Sequence, residues 1–201
     1  METVRGKTSL DLDLNGLTDR LTNYNRIILD LGTGDGLYVH YLAGNFPDSF
    51  VIGVDACREN LREYSRAKLP NALFVIASAQ NLPQELNGVV SHITINFPWG
   101  SLLESLLTGD SMLMRRLELI SRSTTSIEVR LNGDALVEQG WTLEAGADQI
   151  YDNLIQTGWQ VKTPKLINAH ALRDFPTTWA KRLAFGRHPR AMVLSGYIAC
   201  K

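Results

Sequence analysis

Short apolar runs alternate with helical patterns along the 201 residues of the chain. "RIILDLG" (Arg26–Gly32), "FVIGVD" (Phe50–Asp55), "ALFVIA" (Ala72–Ala77) and "HITINF" (His92–Phe97) read as strands. None keeps the strict polar alternation of a half-exposed strand, as expected where helices cover both faces of a sheet. "GLYVHYLAGNF" and "CRENLREYSRAKL" read as helices between them. A long helical stretch around Leu102–Ser121 leads to a fifth strand, "SIEVRL" (Ser126–Leu131), and "ADQIYDNLIQTG" supplies a further helix. "WQVKTPKLI" and "RAMVLSGYIAC" close the chain as two more strands. Strand–helix alternation predicts a doubly wound, mostly parallel α/β sheet with right-handed crossovers, built as one domain over residues 1–201. Residues 1–25 precede the first strand as an extension, and the alternation in "SLDLDLNG" fits a strand and turn of a small hairpin beside the sheet.

The last two strands are separated by residues 168–189, "NAHALRDFPTTWAKRLAFGRHP". That connection is far longer than a hairpin needs, and such a loop in a compact domain is functional or disordered. It also changes the meaning of the charge. The net charge is −1, which by itself argues against a nucleic-acid partner. Yet Lys162–Arg190 carries seven basic residues and one acid, leaving 13 basic and 20 acidic residues elsewhere. A basic segment on an acidic body can face phosphates while the body stays soluble.

Other function classes fall away. The apolar runs are too short for a membrane span, and the first residues lack the apolar stretch of a secretory leader. Two cysteines, Cys57 and Cys200, without CxxC spacing predict neither a disulfide framework nor a metal site, and fit a reducing cytoplasm.

The chemistry gathers at strand ends. "DLGTGDG" sets Asp30, Gly32, Gly34 and Gly36 where the first strand opens into a helix, and Asp55 closes the second strand. Glycines let a ligand approach the backbone closely, and an acid at Asp55 suits the two hydroxyls of a ribose. A dinucleotide fingerprint, G-x-G-x-x-G, is broken because position 37 is leucine. An acid followed by G-x-G-x-G matches an S-adenosylmethionine site, whose ligand carries an ammonium and a sulfonium in place of phosphates. The competing reading is an ordinary tight turn with Asp35 as a helix cap. After the third strand, Ala79 and Gln80 in "ASAQNLP" suit the adenine of the same ligand, small for packing and polar for the amine; an ordinary loop before Pro83 is the alternative.

The fourth strand ends in "NFPWGSLL", with Trp99 directly after Pro98. The fourth strand neighbours the first across the switch point, so this tryptophan borders the place where a methyl acceptor must sit. Asn96-Phe97-Pro98-Trp99 resembles in part the N-P-P-Y motif of enzymes that methylate base amines; the stacking position survives and the amine-holding part is altered. Trp179 stands in the basic connection. Taken alone, Trp99 reads equally as packing or stacking, while Trp179, in a basic segment with turn-prone "DFPTT", reads rather as stacking. Trp141 and Trp159 read as packing residues.

"ILDLGTGDG", "VIGVDACRENLRE", "LPNALFVIASAQNLP", "FPWGSLL" and "TTWAKRLAFGR" together resemble the 16S rRNA adenine-1408 N1-methyltransferases, known for aminoglycoside resistance. The resemblance runs from about Arg26 to Arg190. It implies a class I methyltransferase (Rossmann-like) fold with a seven-stranded, mostly parallel sheet, an antiparallel last strand, and an extended loop between the last two. It implies S-adenosylmethionine as cofactor and one adenine of the decoding-site helix, in the assembled 30S subunit, as acceptor. The adenine would be flipped out and held between Trp99 and Trp179, with Ser101 and Thr177 at the methionine end of the cofactor. Gln80 replaces the family's usual acid; its amide oxygen can still accept from the adenine amine, so weaker but not abolished cofactor binding is expected. Lys181, Arg182, Arg187 and Arg190 flank Trp179 and suit phosphates. Arg62 and Arg66 share one face of the predicted helix after the second strand, where a docking surface and a salt-bridged surface helix with Glu59 and Glu63 are both open readings. A monomer is expected. Two other readings stay open: a class I methyltransferase acting on another RNA base or a small molecule, and a non-catalytic RNA-binding module that kept the fold.

Overall fold

A computed structural model describes residues 1–185 and 190–199 of the chain. The elements run in the order β1 (Glu2–Arg5), β2 (Thr8–Asp11), α1 (Leu14–Leu21), β3 (Arg26–Leu31), α2 (Leu37–Asn45), β4 (Ser49–Asp55), β5 (Ala72–Ile76) and β6 (Val90–Asn96). Then follow α3 (Gly100–Thr108), α4 (Ser111–Ile120), β7 (Ser121–Asn132), α5 (Gly133–Glu138), α6 (Leu143–Gln156), β8 (Gln160–Val161), β9 (Lys165–Ile167), α7 (Ala169–Asp174), α8 (Thr178–Ala184) and β10 (Ala191–Ala199). The sheet order is β2-β1-β5-β4-β3-β6-β7-β10-β8, with β9 also paired to β10. β5, β4, β3, β6 and β7 are mutually parallel, and β10 runs antiparallel to β7. The chain order reverses between β3 and β6, where ligands of open α/β sheets bind.

Alternation along β3 feeds two cores. Ile27, Leu29 and Leu31 join the larger one with residues of α3, α4 and α6; Ile28 joins Val39, Leu42 and Phe74 on the face covered by α2. The expected N-terminal hairpin is present as β1–β2 and extends the sheet by pairing antiparallel to β5. The hairpin is followed by α1, which the apolar pattern did not predict; Asp13 caps it by accepting from Gly16 N at 2.8 Å.

Four expectations need correction. The predicted helix after β4 is absent: residues 57–67 curl into two short 3-10 turns, Asn60–Arg62 and Tyr64–Arg66. The N-terminal hairpin claims this segment, since Ser65 Oγ accepts from Gly6 N at 2.8 Å and Arg58 Nη2 donates to Lys7 O at 3.2 Å. Three-residue turns do not stack i and i+4, so Arg58, Arg62 and Arg66 do not share a helical face. The long helix over 102–121 is two helices, parted by Gly109 at φ 65° and by Asp110, which caps α4 through Leu113 N at 2.8 Å. Asn153 of α6 closes the break by donating to Leu106 O and Leu107 O at 2.9 and 3.0 Å, carbonyls that have no partner within α3. "WQVKTPKLI" is split into β8 and β9 around Pro164, and both halves pair with β10.

The fourth correction matters most for function. The connection read as a long loop holds α7 and α8, each with its own cap: Asn168 accepts from Ala171 N at 2.8 Å and Thr177 from Ala180 N at 3.0 Å. Leu172, Ala180 and Leu183 bury against Phe97 and Ala191 in a small core of their own. Trp159 is buried and Trp141 packs on the larger core, as expected of both. No helix among the described residues is long and apolar enough to cross a membrane.

Candidate functional site

A cavity of about 580 Å³ opens at the C-terminal ends of β3, β4, β5 and β6. It gathers Asp30, Gly32, Gly34, Asp55, Ala79, Gln80, Trp99, Ser101, Thr177 and Trp179, residues drawn from across the whole chain. Gly36 stands just outside, starting α2 at φ 82°; a Cβ there would meet Phe74 at 2.5 Å. Gly32 at φ 72° donates to Val54 O at 2.8 Å, which folds the loop back over β4. A Cβ on Gly34 would meet nothing within 4 Å, so this position faces open space beside the cavity.

The acids at the strand ends differ. Asp30 is buried, and accepts from Thr94 Oγ1 at 2.8 Å and Asn96 Nδ2 at 2.9 Å. Burial pushes its pKa up to about 6, opposed by hydrogen bonds from Thr94 and Asn96 and by the Arg130 guanidinium. Asp55 is half-exposed. Its Oδ2 accepts from Gly34 N at 2.9 Å and its Oδ1 from Cys57 N at 2.8 Å. Asn60 Nδ2 adds a longer third bond to Oδ1 at 3.3 Å; a carboxylate offers about four lone-pair sites, so one hydroxyl can be accepted directly and a second only where the Asn60 contact gives way. Gln80 Nε2 donates to Ser105 Oγ at 2.7 Å, which leaves the carboxamide oxygen to accept. The charged side chains lining the cavity among the described residues are Asp30, Asp35, Asp55 and, at the rim, Arg182. Three carboxylates against one guanidinium favour a cationic ligand over a pyrophosphate.

Trp99 and Trp179 stack on each other over this cavity, with ring centroids 5.2 Å apart and planes 18° from parallel. They are 37% and 41% exposed, unusual for indoles that only fill a core. The backbone explains how Trp99 gets there. Phe97 adopts φ 54°, a left-handed conformation that costs a non-glycine residue about 1–3 kcal/mol. Its ring is buried in the small core under α7 and α8, and its N–H donates to Arg130 O at 2.7 Å. The reversal at Phe97 carries Pro98 and Trp99 out of the sheet and over the cavity mouth. Trp179 arrives from the first turn of α8, and the Arg182 guanidinium lies over its ring at 5.2 Å.

The basic residues divide. Lys181 and Arg182 are exposed beside Trp179. Arg190 is ion-paired with Glu144, and Arg187 lies outside the described residues. Arg62 pairs with Glu59 at 3.0 Å, while Arg66 lies across Gly6. Sequence reasoning missed Tyr38, Arg130, Phe175 and Thr178. Arg130 bonds Asn96 Oδ1 at 3.0 Å and lies 4.3 Å from the Phe175 ring centroid, which itself stacks on Tyr38 at 5.2 Å. Nothing local marks these residues: Arg130 meets Asn96 through the pairing of β7 with β6, and Phe175 and Thr178 arrive with the segment 168–185.

Comparison with known proteins agrees with this geometry. The family described as "NpmA: 16S rRNA (adenine(1408)-N(1))-methyltransferase" matches residues 2–198. A 16S rRNA (adenine(1408)-N(1))-methyltransferase of Escherichia coli is 30% identical, the match covering 98% of each chain. One of Streptoalloteichus hindustanus is 29% identical over 93% of this chain and 94% of its own. Among solved structures, the 16S rRNA methyltransferase KamB superposes with a TM-score of 0.88 at 28% identity, over 100% of both chains. The antibiotic-resistance methyltransferase Kmr gives 0.82 at 29% identity, also over 100% of both. The glycine loop, the split acids and the paired indoles thus occur in a chain that belongs to the 16S rRNA (adenine(1408)-N(1))-methyltransferase family.

Proposed function

We propose that the chain transfers a methyl group from S-adenosylmethionine to N1 of adenine 1408 of 16S rRNA in the assembled small ribosomal subunit. It does so as a monomeric, cytoplasmic enzyme and confers aminoglycoside resistance. The observation that carries this reading is the stacked indole pair at the rim of an acid-lined glycine-loop cavity. Family membership supports the substrate.

S-adenosylmethionine, when bound, supplies an electrophilic methyl carbon on its sulfonium. The residues present fit it. Asp30, a buried anion held at a penalty, suits the ammonium; Asp55 suits the ribose hydroxyls; Ala79 and the Gln80 oxygen suit the adenine. Ser101 and Thr177 stand at the methionine end. The Thr177 oxygen already caps α8, so its hydroxyl proton is what remains to give. Trp99 and Trp179 hold the target base. Each stacked interface needs about 3.5–4.0 Å between atoms, so indoles that now touch must part to admit a base, and each presently fills the place of that base for the other. Flipping the base costs a few kcal/mol, and stacking returns about 1–3 kcal/mol per ring. No side chain has to take a proton, because the ring nitrogen carries its own lone pair; the cavity lining holds no histidine among the described residues. The chain's contribution is alignment, and the indole faces stabilise the cationic product ring. The segment 168–189 is the target-binding insertion, with Lys181, Arg182, Arg187 and Arg190 toward phosphates, and Arg62 and Arg66 forming a second contact.

Incubation of isolated small subunits with the protein and S-adenosylmethionine, followed by mass spectrometry of nuclease fragments, tests the reading. One methyl group on adenine 1408, and none on free nucleosides, is expected. Methylation of free nucleosides or of another base would replace the reading with a small-molecule or different RNA substrate. Absence of S-adenosylmethionine binding would replace it with an RNA-binding module.

A further inference from the structure

One hydrogen bond joins the two halves of the site. Asp35, between Gly34 and Gly36, accepts from Thr178 Oγ1 at 2.6 Å across a sequence separation of 143 residues. Its other oxygen accepts from Leu37 N at 3.0 Å, in the first turn of α2. Asp35 is therefore fixed to the helix that follows the glycine loop, and it offers its free oxygen to the residue immediately before Trp179. On the opposite side of the loop, Gly34 N is held by Asp55. The same few residues that receive the methyl donor thus anchor the start of the helix that carries one stacking indole.

The two threonines that open α8 have separate tasks. Thr177 caps the helix through Ala180 N, which any short helix of this kind needs. Thr178 does nothing for the helix with its hydroxyl and reaches across to Asp35 instead. Nor is the bond required to seat the segment, because Leu172, Ala180 and Leu183 already bury against Phe97 and Ala191. What it adds is a fixed relation between the glycine loop and the first turn of α8. Hydrogen bonds to an ionised carboxylate are the strong, directional kind.

We propose that Asp35 and Thr178 are positioning residues whose hydrogen bond sets Trp179 against the methyl donor, so that filling the donor site steadies the base clamp. This rests on the methyl-transfer reading above.

Wild-type protein, Thr178→Val, Thr178→Ser, Asp35→Asn and the Asp35→Asn/Thr178→Val double variant would be compared. Three readouts separate the roles: S-adenosylmethionine affinity by calorimetry, amide hydrogen exchange over residues 178–184 with and without S-adenosylmethionine, and kcat and KM on small subunits. Thr178→Val should lower kcat about 10- to 100-fold, the span of a charge-assisted hydrogen bond, with donor affinity little changed. Thr178→Ser should restore most of the rate. Donor binding should slow exchange over 178–184 in wild type and Thr178→Ser but not in Thr178→Val. The double variant should be no worse than the poorer single one, since both act on one bond: Thr178→Val removes its donor and Asp35→Asn the charge of its acceptor. Asp35→Asn carries the same comparison should Thr178→Val fold poorly. Wild-type kcat in Thr178→Val, persistent donor-dependent protection in that variant, or additive losses in the double would overturn the proposal. Inactivity of the wild-type protein toward subunits would instead overturn the methyl-transfer reading itself.

Discussion

Asp30 carries the energetic side of the proposed donor site. With its pKa pushed up to about 6 from an ordinary 3.8, the folded protein keeps a proton that the unfolded chain has released between those values. Stability therefore falls as pH rises through this window, and above about 6 the full penalty of the buried anion is present. That penalty is of the order of 3 kcal/mol. A cationic group bound beside Asp30 removes it. S-adenosylmethionine affinity should accordingly rise as pH approaches 6 and level off above it, and Asp30→Asn should bind weakly with no such rise; calorimetry across this range reads both. A wild-type affinity that is flat with pH would show that Asp30 does not meet the ammonium. Phe97 is the counterpart in backbone terms, a strained residue whose buried ring holds the reversal that lifts Trp99 clear of the sheet.

At the scale of elements, the glycine loop separates folding from binding. Gly36 needs its φ of 82° and has Phe74 where a Cβ would stand. Gly36→Ala should cost about 2–4 kcal/mol through strain and overpacking, or roughly 5–15 °C in Tm for a chain of this size. Gly34→Ala has room and should cost only about 1 kcal/mol, with its larger effect on donor affinity. Thermal unfolding of the two variants checks the order; equal losses would contradict it. The parallel core of the sheet was legible from apolar runs, because strands buried on both faces have no alternative environment. The helix after β4 was misread because its i, i+4 charges satisfy a helical pattern that the N-terminal hairpin overrides through Gly6 and Ser65. The break at Gly109–Asp110 was marked by a left-handed glycine and a cap, signals outweighed by the apolar periodicity on either side. Helices α7 and α8 went unread because their apolar faces are completed outside the segment, above all by Phe97, remote in sequence, and by Ala191 at the start of the last strand. The gathering of the glycine loop and Asp55 at one cavity was legible because its motif is local; the contacts of Thr178 and Arg130 were not, because their partners lie far along the chain.

For the whole molecule, the charge asymmetry becomes a geometric one. Within the described part of the basic segment, Arg182 reaches the cavity rim and Lys181 stands exposed beside Trp179, while most carboxylates belong to the rest of the chain. Arg190 is paired with Glu144 and Arg62 with Glu59, so the proposed docking exchanges these partners for phosphates. Surface pairs are worth little, so the exchange is inexpensive. Reversing Arg62 and Arg66 to Glu should weaken subunit binding and reduce its salt dependence by roughly one unit of slope for every phosphate no longer neutralised. Unchanged binding would confine the RNA interface to the 168–189 segment.

In the proposed mechanism the indole pair stands between donor and RNA, and the whole mechanism depends on it. Methyl transfer to small subunits by Trp99→Ala and Trp179→Ala, measured alongside their S-adenosylmethionine affinity, is the most direct test. Each substitution should lower transfer about 5- to 150-fold, the range of one missing stacking interface, and leave donor affinity essentially at the wild-type value. Wild-type transfer rates in both variants would contradict the clamp.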